Sequence, residues 1–201
     1  MAGQTRMSAK NTSVVVIDVQ EKLTAKIPGA AEMIRNIGFL LDAAHILEIP
    51  AHATEQYPQG LGPTVPELAR RFPSRLAKLG FSCCANPKVV ETLRTSARPN
   101  VLLTGIEAHV CVLHSALDLL ALGFHVFLAV DAIASRDGLE SDRDIALGRL
   151  QQAGCVLVTT ETVLFEWIGG ADHPSFKLIS GLVHERMQQM PTAGQISNGH
   201  G

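Results

Sequence analysis

Aromatic side chains are scarce in this sequence: they make up 4% of the 201 residues, with one tryptophan and one tyrosine. Proteins that bind single-stranded nucleic acid stack the bases on aromatic rings, so the scarcity disfavours that class. Positive charge is not in excess either, because 17 basic residues stand against 19 acidic ones and the formal net charge is −2. A surface that binds a polyanion needs such an excess. We therefore expect no nucleic-acid partner.

Long apolar runs and disulfide patterns are also missing. No apolar run approaches the ~20 residues of a membrane-spanning helix, and residues 1–13 contain no apolar segment typical of a secretory signal. The four cysteines (Cys83, Cys84, Cys111 and Cys155) do not have disulfide or zinc spacing, since two are neighbours and two lie in apolar periodic segments. These absences predict a cytoplasmic protein with free thiols and no membrane association.

The sequence does contain a regular alternation of strand-like and helix-like segments. Apolar or β-branched runs predict strands at 13–18, 50–54, 74–78, 100–105, 125–131 and 155–160. Helical spacing predicts helices at 29–49, 87–96, 111–122, 140–154, 161–169 and 173–186. This alternation is typical of βαβ units. We predict an α/β fold with three αβα layers around a Rossmann-like, mostly parallel sheet of about six strands. One domain is expected over 11–189, with disordered tails at 1–10 and 190–201.

Three side chains of different chemistry follow the predicted strands. Asp18 ends the first strand, Lys78 ends the third, and Cys111 lies six residues after the glycine that ends the fourth. Because ligands bind beyond the carboxyl ends of parallel strands, we expect these side chains to meet at one edge of the sheet. A helix N-terminus favours a thiolate, a carboxylate can take the thiol proton, and an ammonium group can stabilise the anion. The pattern therefore predicts a nucleophilic cysteine.

Each of these residues alone also has a simpler interpretation. Cys111 fits a small buried hydrophobic residue, Asp18 a helix cap or loop acid, and Lys78 a solvated strand end.

Four segments carry a family resemblance: DVQEK, TEQYPQGLGPTVPEL, AKLGFSC and GIEAHVCVLHSALDLLALGF. They resemble the isochorismatase-like cysteine hydrolase superfamily, most closely its branch of isochorismatase domain-containing proteins, over residues 13–177. The resemblance implies that Cys111 is the nucleophile, Asp18 its general base, and Lys78 a charged group between them. It also implies a cis peptide bond at Ile106–Glu107, with the N–H groups of Glu107 and Cys111 holding an oxyanion.

The sequence also departs from parts of that family. Metal-dependent relatives have an Asp-x-His pair and a further histidine after the second strand, where this chain has Thr54, Glu55, Gln56 and Tyr57. We therefore predict no catalytic metal and no cofactor. Isochorismatases proper lack the cysteine, so an amide of a small molecule, cleaved through a thioester, is the expected substrate. The resemblance further implies a homo-oligomer, a dimer or larger.

Candidate substrate contacts are five side chains near these motifs: Gln20, Gln56, Tyr57, Phe81 and His114. Packing is the favoured interpretation of Cys83 and Cys84, and a structural role that of Asp131. His109 fits either the mouth of a pocket or a subunit contact.

Two other functions compete with the hydrolase hypothesis. One is a catalytically silent binding or scaffold protein that has kept the fold. The other, a nucleotide-binding domain, is disfavoured because neither G-x-G-x-x-G nor a G-K-[ST] loop is present. The hydrolase hypothesis predicts that Cys111 is alkylated well below pH 8, faster than the other three cysteines. The sequence does not identify the substrate.

Overall fold

A computed structural model describes residues 6–136 and 140–189. Within them, six strands form one parallel sheet in the order β3-β2-β1-β4-β5-β6. The strands are β1 (Thr12–Ile17), β2 (Ala51–Gln56), β3 (Leu76–Lys78), β4 (Asn100–Ile106), β5 (His125–Ala134) and β6 (Val156–Val158). This topology confirms the predicted α/β class and the predicted number of strands.

Helices connect the strands. They are α1 (Glu21–Thr24), α2 (Ala30–Ile46), α3 (Pro58–Leu61), α4 (Pro66–Ala69), α5 (Pro87–Thr95), α6 (Leu113–Ala121), α7 (Glu140–Gln152), α8 (Thr160–Ile168) and α9 (Phe176–Gln189). A 3₁₀ turn at Cys83–Ala85 precedes α5, and a π-helical turn at Ala108–Val112 runs directly into α6. None of the helices in the described ranges has the length and apolar character needed to cross a membrane.

The two faces of the sheet bury separate apolar cores. Alternate residues of β1 point to opposite sides: Val14 and Val16 belong to the core that contains Leu40 of α2. Val15 belongs to the other core, together with Leu119 of α6. The first core is covered by α2, α8 and α9, and α5, α6 and α7 contribute residues to the second. The result is the predicted three-layer arrangement.

Several boundaries differ from the sequence prediction by a few residues, and two of them show a clear physical cause. The strand expected at 155–160 ends at Val158, because the Thr159 side chain accepts a hydrogen bond from the Thr162 N–H and begins α8. At the other end, Met7 is buried and its N–H donates to Glu166 Oε2 at 2.9 Å. The packed domain therefore starts before the predicted residue 11. The remaining tail predictions concern 1–5 and 190–201, which lie outside the described residues.

The strand order places a crevice between β1 and β4. From β1 the chain moves outward through β2 to β3, and it then returns to β4 on the other side of β1. In open parallel sheets, ligands bind at the carboxyl ends of the strands where the order reverses in this way. Asp18 directly follows β1, and the turn that carries Cys111 follows β4.

Candidate active site

Asp18 and Lys78 form a buried ion pair. The carboxylate Oδ2 of Asp18 lies 2.6 Å from Lys78 Nζ, and both side chains are fully inaccessible to solvent. The other carboxylate oxygen, Oδ1, accepts a hydrogen bond of 2.7 Å from Thr54 Oγ1. Among the described residues, Oδ2 accepts no hydrogen bond of good geometry. One buried carboxylate oxygen is therefore held by Thr54, while the other remains able to accept a proton.

Lys78 is enclosed by acceptors. Its Nζ donates to Gln56 Oε1 at 2.7 Å, to Phe81 O at 2.8 Å and to Gly80 O at 3.3 Å. An ammonium group has three protons, so these bonds use its full donor capacity while Asp18 supplies the opposite charge. Lys78 is thus a fixed buried cation with no proton left to donate to a ligand, and it is not the solvated strand end of the simpler interpretation.

Cys111 lies at the start of the helix that follows β4. The N–H groups of Val110 and Val112 both donate to Glu107 O at 3.1 Å, which begins the π-helical turn. The peptide bond between Ile106 and Glu107 is cis. Cys111 is 7% exposed and belongs to the same apolar core as Val15 and Leu119.

The electrostatic surroundings of Cys111 connect it with the ion pair. Burial and, after it, the negative charge of Asp18 raise the pKa of the Cys111 thiol to about 12, although the positive charge of Lys78 lowers it. The structure thus brings the three predicted residues together. It favours a neutral thiol in the resting protein, because burial disfavours the anion. The expectation of rapid alkylation well below pH 8 therefore does not follow from this geometry.

Gly105 is a site-forming residue that the sequence analysis missed. It pairs with Ile17, the last residue of β1, and has a φ of +107°. A Cβ atom at this position would lie 2.1 Å from Ile17 O. Only glycine allows β4 to approach β1 so closely next to Asp18. The available signal was a glycine inside an otherwise apolar strand.

The rings of Phe81 and His114 are in contact beside the segments that carry Lys78 and Cys111. Their ring centroids are 5.8 Å apart, with 57° between the ring planes. Phe81 is 54% exposed, and His114 is also exposed. His114 follows Cys111 by three residues, about one helical turn. Phe81 is joined to Lys78 through its carbonyl oxygen.

Gln20 and Gln56 are hydrogen-bonded to the loop and to the lysine of the site. Gln20 is fully buried, its Oε1 accepts from the Gln56 N–H at 2.7 Å, and its Nε2 donates to Gln56 O and Gly62 O at 3.0 and 2.6 Å. These bonds occupy its amide, which leaves no polar atom for a substrate. Gln56 connects Lys78 to Leu79 O through its own amide. Both residues therefore fix the loop and the lysine, in contrast to the substrate contacts expected from sequence.

Tyr57 lies in a groove that Cys111 does not line. It has a left-handed φ of 38° and is 50% exposed. Together with Leu79 and Pro87 it lines an open groove of about 660 Å³ along the outer edge of β3, and Cys111 is not among the lining residues. Lys78 also lines this groove, so the groove adjoins the lysine of the ion pair.

The remaining cysteines differ in exposure. Cys155 and Cys83 are buried, and the Cys83 N–H donates to Ser115 Oγ at 2.8 Å. Cys84 is half-buried. A hydrogen bond from the neighbouring Cys83 lowers the pKa of the Cys84 thiol, whereas the same contact and burial raise the pKa of Cys83. Cys84 is thus the most accessible thiol of the four.

Two further polar residues have contacts within the chain. His109 Nδ1 is 3.1 Å from Ser135 Oγ, and its Nε2 is 3.7 Å from Asp142 Oδ2. Asp131 accepts from Arg186 at 2.7 Å and from the Thr160 N–H at 2.8 Å, which is the structural role predicted for it. In residues 6–136 and 140–189, no three His, Cys, Asp or Glu side chains are grouped to hold a metal ion.

Comparison with known proteins agrees with the fold and with the motifs. The Isochorismatase domain model matches residues 12–162. The chain is similar to isochorismatase domain-containing protein 2 of Danio rerio, with 42% identity over 91% of this chain and 92% of that protein. Among solved structures, a Caenorhabditis elegans protein described as MAR1 ribonuclease has 41% identity and a TM-score of 0.84, covering 94% of this chain and 96% of that one. The Escherichia coli YcaC gene product, described as an octameric hydrolase of unknown specificity, has 25% identity and a TM-score of 0.83 over the same shares. This chain belongs to the isochorismatase-domain family of hydrolases.

Proposed function

We propose that this protein is a metal-independent cysteine hydrolase that cleaves the C–N bond of a small-molecule amide through a thioester. The observation that carries the proposal is the fully buried Asp18–Lys78 pair next to the Cys111 thiol, at the reversal of strand order. Burying an ion pair stabilises a fold little or not at all compared with apolar residues of the same size. A catalytic role gives this pair a reason to be there.

The reaction begins with a neutral thiol. With a pKa of about 12, roughly one thiol in 10⁵ is ionised at neutral pH. The Cys111 proton therefore moves to Asp18 as the sulfur attacks the substrate carbonyl carbon and the C–S bond forms. Lys78 keeps a positive charge beside the carboxylate both before and after this transfer.

The remaining steps use the same groups. Backbone N–H groups at the helix start, those of Glu107 and Cys111, hold the oxyanion, and one such donor is worth about 3–4 kcal/mol in acyl transfer. The C–N bond breaks, the amine leaves with the proton from Asp18, and a thioester remains on Cys111. Asp18 then takes a proton from water and the hydroxide attacks the thioester carbon. The C–S bond breaks, the acid leaves, and Asp18 returns the proton to the Cys111 sulfur.

Intact-protein mass spectrometry with a panel of small amides tests this cycle. We expect an acyl adduct on the wild-type protein that is absent from Cys111→Ala. The adduct should also be present in Cys84→Ala, the matched control that removes the most accessible thiol. An adduct retained in Cys111→Ala, or mapped to another cysteine, would overturn the assignment of the nucleophile.

A ribonuclease is the second candidate, because the solved C. elegans relative at 41% identity carries that description. Hydrolysis of RNA requires binding of a polyanion, whereas this chain has a net charge of −2 and the Lys78 ammonium is fully occupied. Incubation with a fluorogenic oligoribonucleotide separates the two functions. Cleavage that is lost in Cys111→Ala would favour the ribonuclease.

A silent scaffold would form no adduct with any amide and cleave no RNA. For assembly, we infer a homo-oligomer from the octameric E. coli relative, and light scattering after gel filtration measures its mass.

A further inference from the structure

We propose that the site accepts neutral amides that carry an apolar, preferably aromatic, group, and that it excludes substrates with a carboxylate. This inference rests on the proposed function and specifies its substrate class. It follows from two features: how the charges around Cys111 are paired, and which side chains stand exposed beside it.

The charged groups near Cys111 have partners already. Lys78 faces Asp18 and donates to three further oxygens. The side chain of Glu107, at the start of the Cys111 helix, pairs with Arg136, whose Nε lies 3.1 Å from Glu107 Oε2. His109 faces Asp142. At Lys78, Arg136 and His109, an incoming carboxylate thus meets groups that already face a carboxylate of the chain.

The medium around the thiol opposes a second negative charge. Cys111 is packed within an apolar core that includes Ile17, Ala108 and Val112. Burial is the largest cause of its raised pKa, and the charge of Asp18 adds to it. The same two causes act on any anion brought to the sulfur, because a buried charge without a partner loses its hydration. A neutral carbonyl compound avoids this cost until the transition state, when the backbone N–H groups compensate the charge.

An exposed aromatic pair, Phe81 and His114, lies at the start of the helix that follows Cys111. Phe81 leaves 54% of its surface exposed, although large apolar side chains gain about 1.5–3 kcal/mol from full burial. Its ring packs against the ring of His114, which follows Cys111 by about one helical turn. The carbonyl oxygen of Phe81 accepts a hydrogen bond of 2.8 Å from Lys78 Nζ, so the backbone that carries this ring is held next to the lysine of the ion pair. An apolar substituent of the substrate would cover the exposed ring.

Three chloroacetyl probes test the inference without knowledge of the natural substrate: chloroacetamide, N-benzyl-2-chloroacetamide and chloroacetate. In each case the Cys111 sulfur displaces chloride, so that a C–S bond forms, a C–Cl bond breaks and the thiol proton passes to Asp18. Peptide mapping gives the rate at Cys111, and division by the rate with free glutathione removes the intrinsic reactivity of the probe. The variants are Phe81→Ala and, as a matched control on a distant exposed ring, Phe165→Ala (40% exposed).

After normalisation, we expect chloroacetate to react at least about tenfold more slowly than chloroacetamide, and the benzyl amide severalfold faster. Phe81→Ala should abolish the benzyl advantage, measured as the ratio of the benzyl-amide rate to the chloroacetamide rate within the same variant, and Phe165→Ala should leave this ratio at its wild-type value. Equal or faster labelling by chloroacetate, or a benzyl advantage retained in Phe81→Ala, refutes the substrate class alone. If no probe labels Cys111 although Cys84 is labelled, the proposed nucleophile itself fails.

Discussion

Removal of Lys78 should show how strongly the fold depends on its buried ion pair. In Lys78→Met, the Asp18 carboxylate keeps the hydrogen bond from Thr54 Oγ1 but loses the ammonium 2.6 Å from its Oδ2. Because both side chains are fully buried, no solvent can replace the lost partner. Breaking a buried pair in this way costs about 3–5 kcal/mol in the free energy of unfolding.

The contacts predict that Lys78→Met and Asp18→Asn lower the free energy of unfolding by different amounts. In Asp18→Asn, Lys78 still donates to Gln56 Oε1, Gly80 O and Phe81 O, so the remaining charge has three acceptors. In Lys78→Met, the remaining carboxylate has one donor. Lys78→Met should therefore be the more destabilising change, and the double variant should lose less than the sum of the two single losses.

Urea unfolding followed by circular dichroism measures these changes in free energy. The control is Arg71→Met, which breaks an ion pair of similar length (2.7 Å to Asp42) whose side chains are 23% and 43% exposed. That loss should stay near or below about 1 kcal/mol. A loss below about 1 kcal/mol for Lys78→Met, or strictly additive single variants, would show that the pair is solvated and that the burial argument is wrong.

Three further outcomes follow from the geometry. Thr54→Val removes the donor to Asp18 Oδ1 and should lower the rate of Cys111 acylation about tenfold with little change in substrate affinity. Thr54→Ser keeps a hydroxyl and should restore the rate. Equal rates for both variants would contradict a positioning role. In a pH series with iodoacetamide, Cys84 should react at lower pH than Cys111, because its thiol pKa is lowered, while labelling of Cys111 keeps rising beyond pH 10. The reverse order of the two thiols would refute the burial argument. Gly105→Ala should destabilise the fold by more than about 2 kcal/mol, since its Cβ would lie 2.1 Å from Ile17 O, and an unchanged urea midpoint would disprove that close approach.

The sequence alone was sufficient to predict the layers of the fold. Helices such as Ala30–Ile46 have an apolar periodicity that specifies which side is buried. Strands such as Thr12–Ile17 are continuous β-branched runs, which predict burial on both faces of a parallel sheet. The parallel arrangement follows because short strands alternate with helices. Boundaries were less well predicted where a single side chain decides them, as Thr159 does at the start of α8.

The candidate site was predicted only in part. Asp18, Lys78 and Cys111 could be selected because the carboxyl ends of parallel strands share one edge. Gln20 was misjudged, since its burial and its bonds to Gln56 and Gly62 depend on a loop that is distant in the sequence.

What the sequence determined by itself is the set of elements and the side chains that end them, because both depend on neighbours along the chain. The tertiary structure decided the burial that raises the pKa of the Cys111 thiol, the enclosure of Lys78 and the close contact of Gly105 with Ile17. Each of these depends on burial and on distances between residues far apart in sequence, and a periodicity contains no information about either.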